Sequence, residues 1–275
     1  MLCIDVKGIS TVITGASGVI GMAFAKGFLE NGARVANWDI VKNDEVEELC
    51  KQYPENYIFC RTDICNEQSV RDAAAEVSQK FGGIDVLCNI AGIIAKEKID
   101  EVHKETIDKL YNINVLGSIL TTKHIVPYLK KSKRPRIINM SSIQAVIGSE
   151  TYTPYSFSKG AVSAMTRVWA LELAAYGITV NALCPGWADT EMTRTKLVEH
   201  MANYHGVSIS EARDMILSYT PQRRFINPDE IAFAGLFLAS SMAQAISGTE
   251  IMIDQGMTNC VKAGLNMKVP TLLSE

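Results

Sequence analysis

Short runs rich in β-branched and apolar residues alternate along this chain with longer stretches whose apolar positions recur every three or four residues. The short runs near 10–14, 34–39, 57–61, 84–88, 136–140, 178–184 and 249–253 have strand length, and several are apolar throughout, as strands buried on both faces are. The periodic stretches near 18–31, 43–53, 66–81, 104–130, 155–176 and 228–240 read as helices. Regular alternation of the two, with no internal repeat and no low-complexity linker, predicts an α/β fold: a doubly wound, seven-stranded parallel sheet in a single domain. The stretch Ala161 to Leu173 is apolar on more than one face, more than packing on one sheet requires.

Composition narrows the class. At 275 residues, 47% apolar and 21% charged, the chain can bury a substantial core. A net charge of −3 argues against a nucleic-acid partner. No uninterrupted apolar run approaches the about 18 residues of a membrane helix, and no charged start leads into an apolar segment, so no membrane role and a cytoplasmic protein are expected. The seven cysteines, an odd number without a Cys-x-x-Cys pair, read as reduced thiols. Four scattered histidines do not predict a metal site; His200 and His205 lie five apart without a Cys or acidic partner at ligand spacing.

Four features carry candidate chemistry. In Tyr155-Ser156-Phe157-Ser158-Lys159 a phenol and an ammonium share one helix face. Unit charges about 4 Å apart at an effective dielectric of about 20 interact by roughly 4 kcal/mol, enough to lower a phenol's pKa by about three units before desolvation is counted. At the amino end, the strand Ser10 to Thr14 runs into Gly15-Ala16-Ser17-Gly18-Val19-Ile20-Gly21 and then a helix, a turn whose backbone N–H groups can approach a diphosphate. The second strand ends at Asp39, 18 residues after Gly21, where a carboxylate accepts ribose hydroxyls and repels a 2′-phosphate, favouring NAD over NADP; Lys42 is the nearby cation that opposes this. Ser142 closes the strand Ile137 to Met140, and Pro185-Gly186 closes another, with Thr190 four residues on. Each of these alone also reads as an ordinary cap or turn; together they fall at strand ends, where open α/β sheets hold ligands.

With these motifs the chain resembles the classical short-chain dehydrogenase/reductase (SDR) family from about Lys7 to Gly256. The likeness includes Asp63, Asn89-Ile90-Ala91-Gly92, Asn114, Arg224, Pro228-Asp229-Glu230 and Asp254-Gln255-Gly256. It implies a Rossmann-type domain over 1–256 with a C-terminal extension at 257–275, and Tyr155 as acid/base. Lys159 is then expected to lower the Tyr155 pKa and bind the nicotinamide ribose, Ser142 to orient the reacting oxygen, and Asn114 to hold a water linking Lys159 to solvent. By the same resemblance Gly15, Ser17, Gly18, Val19, Ile20 and Gly21 form the phosphate turn. Asp39, Ile40, Asp63, Ile64, Asn89, Ala91 and Gly92 surround the adenosine, and Pro185, Gly186, Ala188 and Thr190 meet the nicotinamide. Two positions depart from the family pattern. Val19 stands at a usual glycine while Gly18 is a glycine one place earlier, and Ile90 stands at a usual Asn; both are expected to touch cofactor affinity rather than chemistry.

The implied activity is NAD-dependent interconversion of a secondary alcohol and its ketone. The alternatives are a dehydratase or epimerase without net NADH, and a dinucleotide sensor that has kept the fold. Ile94, Gln144, Tyr152 and Trp187 are expected to line a substrate pocket without an obvious cation, under a polar, helical lid at about 190–222 that carries Arg194, Lys196 and Arg213 among acidic residues. Polyols, sugar acids, cyclic alcohols, hydroxyacyl compounds and steroids all fit such a wall. A homotetramer is expected through the helices near 104–130 and 155–176, and the extension beyond Gly256 is expected to cover a pocket.

Overall fold

The computed structural model describes residues 4–259; the extension past Asn259, with Cys260, lies outside the described residues. Seven parallel strands form one sheet in the order β3-β2-β1-β4-β5-β6-β7. They are β1 (Ser10–Thr14), β2 (Arg34–Asp39), β3 (Tyr57–Arg61), β4 (Val86–Asn89), β5 (Arg136–Met140), β6 (Thr179–Pro185) and β7 (Glu250–Ile253). The order reverses between β1 and β4, which opens a crevice at the carboxyl ends of those two strands.

Alternate residues of each central strand feed two apolar layers. Val12, Leu87, Ile137 and Val180 point to one face, where α3 (Glu67–Phe81), α5 (Gly117–Leu129) and α6 (Thr153–Leu173) cover them with Val70, Phe81, Ile125 and Leu173. Ile13, Cys88, Ile138 and Leu183 point to the other, under α1 (Val19–Glu30), α2 (Asp44–Gln52) and α9 (Pro228–Ala239). Burial on both faces is why these strands read as unbroken apolar runs. The helices α1 and α9 pack closely because Gly235 has no side chain: a Cβ there would fall 2.3 Å from the Phe24 ring.

The helix expected over 104–130 is continuous but not uniform. The segment α4 (Lys104–Leu110) passes through a π-helical stretch, Tyr111–Leu116, before α5. Such wide turns recur at functional positions. The lid region is also more than a solvated strap. A second π-helical stretch (Met192–Leu197), α7 (Val198–His205) and α8 (Ile209–Ser218) enclose an apolar cluster of their own, with Val198, Ala202, Ala212, Ile216, Leu217 and Phe225 at its centre. On α6, Phe157, Val168 and Leu171 remain exposed. Among the described residues no helix is long and apolar enough to cross a membrane.

Candidate active site

The glycine turn after β1 is shaped by close backbone approaches. Gly15 has φ +67° and lies against Ala91, where a Cβ would come within 2.8 Å of the Ala91 Cα. Gly21 lies against Gly15 itself: a Cβ there would sit 2.2 Å from the Gly15 carbonyl oxygen. Gly18 is different, since its φ of −82° suits any residue and an added Cβ would meet only Gly15 O at 3.4 Å. Gly18 N–H donates to Gly15 O and Met22 N–H to Gly18 O, so the turn closes before α1 begins at Val19. No side chain caps α1, and the N–H groups of its first turn face the crevice mouth unclaimed by a capping side chain, as a diphosphate cradle requires. Val19 is half exposed at this helix start, so nothing there demands a glycine.

Asp39, at the end of β2, accepts hydrogen bonds from Ser17 N–H (3.1 Å) and Val41 N–H (3.0 Å), which fixes the carboxylate beside the turn. Ser17 is held in turn by Asn37, Asn43 and the Val41 carbonyl. Lys42 leans toward Glu47, 3.9 Å away. Ile40 is exposed at the rim. Asp63 is exposed as well and accepts from Cys65 N–H at 2.9 Å. Ile64 turns inward against Gly117, so only its backbone is left to meet a nucleotide.

After β4, Thr14 Oγ1 accepts from the N–H groups of both Ile90 (3.0 Å) and Ala91 (3.1 Å), binding the β4 turn to β1. The side chain of Ile90 is buried in the core, which explains how an apolar residue replaces an Asn there without loss of the turn. Asn89 does not offer its side chain to a ribose. Its amide is engaged with Thr121, Thr122 and Asn139 in a buried net that continues to Thr166. Gly92 stands between Asn114 and Lys159; a Cβ there would meet Asn114 Oδ1 at 3.2 Å and Lys159 Nζ at 3.3 Å.

The catalytic candidates gather at the ends of β4 and β5 with α6. Asn114, in the π-helical stretch, accepts from Ile93 N–H (2.8 Å) and donates to Ile93 O (2.9 Å) and Ser158 Oγ (2.9 Å). It therefore clamps the β4 loop to α6 one residue before Lys159, and both its N–H groups are used by the protein rather than by solvent. Lys159, 4% exposed, donates to Met140 O at 2.7 Å, and burial lowers its pKa to about 8. Its Nζ lies 5.7 Å from the centre of the Tyr155 ring. Ser142 Oγ accepts from Gln144 N–H at 3.2 Å, and its hydroxyl is hydrogen-bonded with Tyr155. Ser141 ties β5 to α6 through Lys159 O and Ser163.

One electrostatic expectation needs correcting. Lys159 was expected to bring the Tyr155 pKa down, but enclosure by protein pushes it up to about 12, and the hydrogen bond with Ser142 is what opposes the rise. The ammonium is directed at the Met140 carbonyl.

Beyond β6, Gly186 N–H donates to Ile253 O (3.0 Å), and the strand-like pairing of Ala188 with Ile226 anchors both ends of the lid. Pro185 is buried at the end of β6, and Ala188 is buried in the core. Thr190 Oγ1 accepts from Thr193 N–H at 3.3 Å as the π-helical stretch begins. Trp187 packs against the lid cluster rather than standing free in a pocket. Gln144 is buried, with its amide bonded to Ser149 and Ser156, while Ile94 is partly buried on the β4 loop. Tyr152 meets Tyr155 edge-on, ring centres 6.2 Å apart. An open cleft of about 360 Å³ within the lid region is lined by Asp189, Arg194, Arg213 and Phe225, with Arg194 Nε 3.1 Å from Asp189.

Beside Tyr152 stands a cation that the sequence did not reveal: Lys96 Nζ lies 4.8 Å above the Tyr152 ring. A lysine seven residues past the end of β4 carries no pattern, and only the pairing of its loop with residues 151 and 152 places it there.

This geometry agrees with known proteins. The family profile described as "Enoyl-(Acyl carrier protein) reductase" matches residues 15–258. A 3-oxoacyl-(acyl-carrier-protein) reductase of Thermotoga maritima is 35% identical over 257 residues, covering 91% of this chain and 98% of its own. An NAD-dependent glycerol dehydrogenase of Listeria innocua is 33% identical over 248 residues, covering 90% and 92%. The solved structure of Thermoplasma acidophilum aldohexose dehydrogenase superposes with a TM-score of 0.84 at 28% identity, covering 96% of this chain and 99% of that one. The chain belongs to the short-chain dehydrogenase/reductase family of oxidoreductases, whose members use nicotinamide dinucleotides.

Proposed function

We propose that this protein is an NAD-dependent oxidoreductase that interconverts a secondary alcohol and its ketone. The observation that carries the reading is the meeting of Ser142, Tyr155, Lys159 and the Asn114 clamp at the open end of the sheet, beside a glycine cradle that side chains would fill. The dinucleotide would be held by the Gly15 to Gly21 turn, Asp39, Asp63, the Ala91-Gly92 backbone, Lys159 and the Pro185 to Thr190 segment. When bound, its nicotinamide accepts or supplies the hydride. During oxidation Tyr155 takes the hydroxyl proton as its own proton passes to the deprotonated Lys159 amine, and during reduction the same transfers run in reverse. Ser142 turns its proton from Tyr155 to the substrate oxygen as negative charge develops, from a position already fixed by Gln144 N–H. Lys159 stands behind the phenol as the store of exchangeable charge, and the buried walls keep bulk water from the reacting atoms.

NAD is favoured over NADP by the fixed Asp39 carboxylate and by Glu47 drawing Lys42 away, and the Listeria relative is NAD-dependent by name. Asp39→Ser is expected to shift the NAD-to-NADP ratio of kcat/KM at least about tenfold toward NADP, one lost repulsion being of that order. Steady-state rates with both cofactors test it; an unchanged ratio removes Asp39 from cofactor choice. Free thiols among the described residues favour a cytoplasmic protein, and the exposed Phe157, Val168 and Leu171 on α6 favour a homotetramer.

The pH dependence follows from the pair of shifts. Oxidation needs the Tyr155–Lys159 pair to have lost one proton, and that proton leaves near the Lys159 value of about 8. Log kcat/KM for oxidation is expected to rise with pH up to about 8 and level off above, while reduction runs the opposite way. In Lys159→Met the phenol must ionise alone, so the rise moves toward the Tyr155 value of about 12. A profile flat from pH 6 to 10 contradicts this assignment.

The decisive experiment is NADH formation by absorbance, with NAD or NADP, on polyols, sugar acids, hydroxy acids, hydroxyacyl compounds, cyclic alcohols and steroids. Turnover on one class with NAD supports the reading. Silence on all of them, with dinucleotide bound, leaves the protein to non-redox chemistry or sensing.

A further inference from the structure

The β4 loop brings a positive charge to the substrate side of the site. Glu97 N–H donates to Thr151 O at 2.7 Å, and Glu97 pairs strand-fashion with Tyr152. Thr151 adopts φ +67°, a left-handed conformation that a β-branched residue rarely takes, so this zipper is held against local backbone preference. Its effect is to lay Lys96 over the Tyr152 ring, with Tyr155 edge-on to the other side of that aromatic pair. The neighbouring carboxylate does not neutralise it. Glu97 accepts from His103 N–H (2.8 Å) and Thr106 Oγ1 (2.7 Å) and faces the start of α4. Burial alone lowers the Lys96 pKa, with no acidic group raising it, so among the described residues this ammonium has an aromatic face but no counter-ion.

Enclosing an ammonium beside a reacting centre costs desolvation, which an incoming anion offsets. A single lysine offers one positive charge on a flexible stem and no planar fork, which suits a singly charged group better than a phosphate dianion. We propose that Lys96 receives a carboxylate of the substrate, so that the enzyme acts on hydroxy acids or the matching keto acids whose acid group lies across the Tyr152 face from the reacting carbon. This rests on the alcohol–ketone chemistry proposed above and names its substrate class. Tyr152 contributes the apolar surface along which the intervening chain lies, and the distance across it sets how far the acid stands from the hydroxyl.

Calorimetric titration of the full-length protein, free and NADH-loaded, with straight-chain carboxylates from acetate to octanoate, each against its own amide, tests the site without turnover. At one chain length the carboxylate is expected to bind at least about tenfold tighter than the amide, as a charge-assisted bond allows. Lys96→Met brings the two within about threefold, and Lys96→Arg keeps a preference of the same sign. The proposal is overturned if no carboxylate is preferred at any length, or if Lys96→Met retains the preference. The two readings separate cleanly. A protein that prefers carboxylates through Lys96 but makes no NADH from any hydroxy acid keeps the site and loses the reaction. One that oxidises neutral alcohols without any carboxylate preference keeps the reaction and loses the site.

Discussion

Tyr155→Phe is expected to lower kcat/KM by about 100-fold to 10,000-fold, the range a positioned acid/base commands, with dinucleotide affinity within about threefold of wild type. In the proposed reaction the phenol exchanges a proton with the substrate oxygen and Ser142 acts as a donor, while Lys159 is turned to the Met140 carbonyl. Phenylalanine fills the same volume and keeps the edge-on contact with Tyr152, so the pocket shape survives. Only the hydrogen bond to Ser142 is lost, which sets a stability cost of about 1 kcal/mol. Steady-state kinetics beside NADH titration separate the two effects. Turnover near wild type would remove Tyr155 from the chemistry and with it the proposed reaction.

The glycine turn yields the second large effect, and it divides two residues that look alike in the sequence. Gly21→Ala places a Cβ 2.2 Å from Gly15 O and 2.6 Å from Ala16 Cα, both backbone atoms that cannot swing aside. Overpacking typically costs about 1–3 kcal/mol and more where only backbone can yield, so about 3 kcal/mol or more is expected, together with loss of dinucleotide binding. Gly18→Ala meets nothing closer than 3.4 Å at a φ of −82°, and it should leave the melting temperature within a few degrees and binding within about threefold. Thermal melts and NADH titration on both variants give the comparison. Equal damage at the two positions would mean that Gly18 serves the turn in a way its geometry does not explain.

That contrast also shows how far the sequence could be read. The family's middle glycine is missing from its usual place, and Val19 there was expected to touch cofactor affinity. In the structure the steric demand falls on Gly15 and Gly21, both retained, so the displaced glycine changes little. The strands were legible because β1, β5 and β6 are buried along their whole length and need apolar residues at every position. Tyr155, Lys159 and Ser142 were legible through spacing along one helix and one strand end. Features set by contacts between distant segments were not. Asn89 was expected beside a ribose, yet the demand of its buried amide is met by Thr121, Thr122 and Asn139. The π-helical stretch holds Asn114, whose side chain bonds Ile93 and Ser158, and no helical periodicity announces it. Lys96 is invisible in the sequence because its position depends on a strained threonine 55 residues further on.

The lid begins and ends at one place. Ile226 N–H donates to Trp187 O and Asp189 N–H to Ile226 O, so the segment between leaves the body and returns to it through a single stitched seam. Its apolar cluster is separate from the two layers of the sheet. A piece of chain with adjacent ends and its own interior is the kind of insert that can be exchanged whole. Lids from relatives should therefore graft onto this body at the seam, carrying their selectivity with them while the proton-transfer machinery stays as it is. In this fold, what the enzyme recognises can change on a different schedule from what it does.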